Sequence, residues 1–95
     1  MTEFERNAQY SYQETLDKLV ADGWEFPYLQ TMNYKGFDVI TWADKTRHSQ
    51  WFHGFRAKFF LNGKLVKIRR KPWRDDINAY CREYIDQVLV KQLLI

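Results

Sequence analysis

The chain has one cysteine, two prolines, four glycines and no apolar run near the roughly 18–20 residues that a membrane-spanning helix needs. Each scarcity excludes something. The lone Cys81 cannot close an internal disulfide; with no leader-like or spanning segment, it points to a reducing, cytoplasmic setting and no membrane partner. Gly23, Gly36, Gly54 and Gly63 are scattered and build no loop that could cradle a phosphate. His48, His53 and Cys81 are the only imidazole and thiol groups, and their spacing matches no zinc pattern, so no metal or cofactor is expected. Asp75 and Asp76 are adjacent, which on a helix points them about 100° apart, a poor arrangement for paired acid and base. No catalytic constellation is present, and the chain is expected not to be an enzyme.

The last scarcity is of negative charge in one region. Between residues 51 and 74 there is no Asp or Glu, while Arg56, Lys58, Lys64, Lys67, Arg69, Arg70, Lys71 and Arg74 all fall there. The flanking segments are each net acidic, so a formal charge of only +3 conceals a local field that attracts phosphates or an acidic protein surface. What the chain has in plenty is aromatic rings, 18% of its residues. A single domain spanning residues 1–95 cannot sheathe all of them, and Tyr, Trp and Arg are enriched at the energetic centres of protein interfaces.

Periodicity gives the architecture. Ser11 followed three residues later by Glu14 fits a capping box, and Tyr12, Leu16, Leu19 and Val20 continue at helical spacing to a left-handed stop at Gly23, which predicts a helix over 11–22, extending back toward Arg6. Trp24 to Leu29 alternates and holds Pro27, as an edge strand would. Phe37 to Ala43 is its expected hairpin partner, and Asp44 to Ser49 reads as a loop. Asn62-Gly63 between two alternating runs is the strongest turn signal in the chain, because both residues tolerate the positive φ of a type I′ turn. Strands are therefore predicted over 50–61 and 64–70. A last helix is expected from Pro72, with Ile77, Tyr80, Cys81, Tyr84 and Val88 as its apolar stripe. The sum is an α+β domain of two layers, a four-stranded antiparallel sheet flanked by an N-terminal and a C-terminal helix on one face.

A two-residue loop fixes the register of the second hairpin. Phe59 is expected opposite Val66 and Ala57 opposite Ile68, whereas on the other face Lys58 meets Lys67 and Arg56 meets Arg69. Like charges across a strand pair cost roughly 0.2–1 kcal/mol each, a cost an anionic partner would relieve. The candidate binding residues are thus Arg56, Lys58, Lys67 and Arg69 on the strands, continued by Arg70, Lys71, Pro72, Trp73 and Arg74.

The order helix, strands, helix resembles a double-stranded RNA-binding domain, with Phe55 to Gly63 similar to that family's central hairpin, although Asp75 and Asp76 stand where the family carries a basic phosphate clamp. It also resembles the strand-and-helix DNA-binding arms of phage integrases. In length, aromatic content, single cysteine and basic Pro-containing segment, the whole chain is similar to the small early proteins of lambda-like phages, of the anti-RecBCD type. That resemblance implies a non-enzymatic modulator in the host cytoplasm that binds a host complex acting on DNA, with a host prolyl isomerase engaged at Pro72. The alternative is direct nucleic-acid binding by the cationic strand face.

Overall fold

A computed structural model of the chain describes residues 2–45, 52–72 and 76–93. Helix α1 (Glu3–Ala8) opens on Thr2, whose hydroxyl accepts from the Glu5 amide. Helix α2 (Tyr12–Ala21) follows after a break at residues 9–11. The break has a local cause: Ser11 takes an extended conformation to cap α2, its hydroxyl accepting from the Glu14 amide at 3.2 Å while Glu14 accepts from the Ser11 amide at 3.1 Å. The helix predicted over 11–22 is therefore real, and its backward extension is a separate element.

Four antiparallel strands run in the order β1 (Leu29–Tyr34), β2 (Phe37–Lys45), β3 (Phe52–Leu61) and β4 (Lys64–Lys71). The Asn62-Gly63 turn forms as expected, with φ of 54° and 81°. A second two-residue turn, Lys35-Gly36, has the same signature, φ of 51° and 85°, and joins β1 to β2. This corrects the first strand. Trp24 to Tyr28 is not a strand but a turn, in which the amides of Tyr28 and Leu29 both donate to the Glu25 carbonyl around a cis Phe26–Pro27 bond. The strand lies directly before Lys35-Gly36, where the short loop requires it.

The four-stranded α+β fold is as expected, but the helices do not share a face. Phe37, Val39, Phe55, Ala57 and Phe59 pack against the C-terminal helical segment, whereas Ile40, Phe60 and Leu65 pack against Tyr12, Leu16 and Leu19 of α2. Residues one apart on a strand point to opposite faces, so these two sets bury both sides of the sheet. Adjacent apolar pairs, Val39-Ile40, Phe59-Phe60 and Leu65-Val66, are the sequence signature of that arrangement. Burying a large apolar side chain contributes roughly 1.5–3 kcal/mol, and Phe37, Phe55, Phe59 and Phe60 are all fully enclosed.

The C-terminal segment comprises α3 (Ile77–Tyr84), a π-helical turn (Ile85–Leu89) and α4 (Val90–Leu93). It starts at Ile77 rather than Pro72, because Asp76 supplies the cap: its carboxylate accepts from the Ala79 amide at 2.9 Å. The buried stripe is Ile77, Tyr80, Cys81, Ile85 and Leu89, and Val88 is only half-buried. At 3.6 residues per turn Leu89 would stand roughly a third of a turn away from Ile77; the wider π turn swings it back toward the sheet. Tyr34 and Lys35 at the first hairpin both donate to Asp86 on this turn, tying the two together. That bond to Lys35 holds the Asp86 carboxyl below the usual carboxylate range, and the same contact raises the Lys35 ammonium.

Candidate partner-binding surface

The second hairpin decides where the cations go, and its register is not the simple one. Leu61 pairs with Lys64 and Phe60 with Leu65, but a bulge at Phe59/Phe60 then displaces the strands by one residue, so that Phe59 meets Lys67, Lys58 meets Ile68, Ala57 meets Arg69 and Arg56 meets Arg70. Val66 is the extra residue. A one-residue slip exchanges the faces of everything beyond it. The slip has two physical gains: Ile68 joins the α2-side cluster that Leu65 already occupies, and Lys58 no longer confronts Lys67. The expected single row of Arg56, Lys58, Lys67 and Arg69 on one open face is therefore overturned.

Each of those residues has a different setting. Lys58 is only 8% exposed, its ammonium donating to Asn7 Oδ1 of α1 at 2.8 Å and lying 5.5 Å from the Trp42 ring. Burial holds its pKa below the ordinary lysine range, against the attraction of Glu3. Arg56 pairs with Glu3 of α1 at 3.1 Å. Across the sheet, Arg69 donates from Nε to the Tyr80 hydroxyl at 3.2 Å and its guanidinium sits 4.9 Å from the Tyr84 ring. Lys71 stands 5.7 Å from the Tyr80 ring, and Tyr80 and Tyr84 are themselves stacked at 6.2 Å. These two aromatic rings make a rack for the far end of β4.

The most accessible cations of this segment lie along β4. Lys64 and Arg70 are exposed, and Lys67 and Lys71 are half-buried. A cleft of about 500 Å³ runs between this strand and the start of α1, lined by Glu3 and Phe4 on one side and by Val66, Lys67, Ile68 and Arg70 on the other. Pro72 is exposed at the strand's end. Gly54 leaves room for this course: an added Cβ would collide with the Lys71 carbonyl oxygen and stand 3.1 Å from the Pro72 Cα. Trp73 and Arg74, expected as anchors, lie outside the described residues, as do His48 and the side chain of His53.

Other chemistry is thinly represented. Cys81 is fully enclosed in the core, and burial pushes its thiol up to about 12, so it is a small apolar residue there rather than a nucleophile. Among the described residues no three His, Cys, Asp or Glu side chains converge as a metal site, and no helix is long and apolar enough to cross a membrane. Comparison with protein-family models, with curated proteins and with solved structures returns no match.

Proposed function

We propose that the chain is a non-enzymatic modulator that binds a protein partner through β4 and the cationic residues at its end. The partner class is a host complex acting on DNA, such as a recombination nuclease of the RecBCD type, which the likeness to small early phage proteins implies. One observation carries the reading. The sheet faces are both occupied by helices, and the cations that remain accessible line a strand edge beside an apolar-walled cleft, with Phe4 40% exposed at its rim. Cations beside apolar wall residues suit the mixed chemistry of a protein interface. Direct tracking of a phosphate backbone would want an open cationic face, and Lys58 and Arg56 are engaged with Asn7 and Glu3 instead. Pro72, exposed next to Lys71, is the position at which a host prolyl isomerase would engage.

The test mixes purified chain with the purified nuclease and follows both complex formation and degradation of linear duplex DNA. A stable complex and altered degradation are expected, with both reduced by the double variant Lys67→Glu, Arg70→Glu. Unchanged degradation with no complex would reject the reading. Tight binding to random duplex, steeply weakened by salt and by Lys64→Ala, would favour the nucleic-acid alternative instead.

A further inference from the structure

β4 is an outer strand. It pairs with β3 on one side, and among the described residues no strand pairs with its other edge, so alternate N–H and C=O groups along it face away from the sheet. The cleft beside α1 lies against that edge. From β4 it is lined by Lys67 on one face of the strand and by Ile68 and Arg70 on the other, and its opposite wall offers Phe4. Glu3, the acid in the wall, is engaged by Arg56, and β4 contains no acid of its own. Lys67 has no acidic partner among the described residues.

Lysines on an edge strand commonly serve to stop other strands from adding there. A blunted edge, however, requires neither an adjoining cleft nor an exposed phenyl ring beside it. The charge also discriminates among occupants. A second copy of β4 would set cations against cations, a repulsive pairing, whereas a strand carrying carboxylates would meet them with the opposite sign. The other outer strand, β1, has no charged residue along Leu29–Tyr34 and could not select a partner by charge.

We propose that β4 receives an extended acidic segment of the partner protein as a fifth strand, its carboxylates on the face that carries Lys67 and Lys71 and its apolar side chains on the opposite face, toward Phe4 and Ile68. This rests on the reading that the chain binds a protein, and it adds the mode and the chemistry of recognition. Main-chain hydrogen bonds supply the affinity in such an addition, and the alternating side chains supply the choice of segment.

The probe is a capped peptide of about ten residues alternating Glu with Val, titrated into the full chain while backbone amide shifts are followed by NMR. Binding is expected, with the largest shifts from Val66 to Arg70. Methylating alternate peptide nitrogens should weaken binding by about tenfold or more, since it removes main-chain donors and sets methyl groups against the strand edge while leaving every side chain unchanged. Replacing Glu with Lys in the peptide, or Lys67→Glu in the chain, should weaken it by a similar factor. A methylated peptide that binds as well as the parent, shifts centred away from β4, or no binding at all would each overturn the proposal. These outcomes are distinct from failure of the protein-binding reading, which is scored by the nuclease complex: a complex that forms while the peptide does not bind leaves that reading standing and removes this one.

Discussion

The two faces of one sheet are closed in different ways. Against the C-terminal helical segment the strands present Phe37, Val39, Phe55, Ala57 and Phe59, a large apolar centre with Tyr34, Lys35 and Arg69 bonding to the segment around it. Against the N-terminal helices Ile40, Phe60 and Leu65 make a smaller apolar cluster, and α1 is held over the sheet by polar contacts, Arg56 to Glu3 and Lys58 to Asn7. The first face rests chiefly on its larger buried cluster, and the second divides its hold between a smaller cluster and the two polar contacts of α1. The larger buried cluster is thus on one side, and the accessible cleft opens beside the less apolar layer.

Adjacent residues on β3 allow the contrast to be tested. Phe59→Ala leaves a cavity on the apolar face and should cost about 3–5 kcal/mol in urea denaturation. A loss below about 1 kcal/mol would mean that the C-terminal segment does not anchor the fold. On the other side, Ser11→Ala removes a cap from α2 and should cost about 1 kcal/mol in the same assay. Lys58→Met exchanges a buried ammonium for an apolar chain of similar length and should change stability by less than about 1 kcal/mol, because relief from desolvation offsets the lost bond to Asn7. The pH dependence separates the two terms. Lys58 has a lowered pKa when folded, so the unfolded chain binds more protons between that value and the ordinary lysine pKa. Stability of the parent relative to Lys58→Met should therefore rise with pH through this window, and a flat difference would show that Lys58 is solvated. The smallest effect is expected at the surface. Asp86→Asn should weaken the fold slightly at neutral pH, and the difference should vanish as pH falls through the lowered carboxylate pKa, since that contribution exists only while Asp86 is ionised.

Most of the elements were legible from local chemistry. Ser11 with Glu14, and Asn62-Gly63, carry their geometry in their own side chains and φ preferences, so the α2 cap and the second hairpin turn follow directly. The first strand was harder to find because Leu29 to Tyr34 is mostly polar while Trp24 to Leu29 alternates more strongly; the Lys35-Gly36 pair was the better guide. Two features are settled only by tertiary packing. The bulge depends on which clusters Val66 and Ile68 join, and the π turn depends on where Leu89 must reach. The first of these governs where the cations go. With the register displaced, Lys67 and Arg69 move to the Phe59 face, where Arg69 meets Tyr80, while Lys58 and Arg56 stay on the other face beneath α1, so the cations are divided between layers. The run from Arg69 to Pro72 does sit at the end of an outer strand, as the chain's order required.

Gly54 has a consequence for how this surface could change over time. Its missing side chain leaves room for the carbonyl of Lys71, so the outgoing course of the chain is set from a buried position that bears no charge itself. Any larger residue there would have to push the end of the outer strand aside, tilting Lys71 and Pro72 together and carrying the basic terminus of the strand toward a new heading. The shape of the proposed surface would thus change through a substitution at a site outside it, with every cation still present.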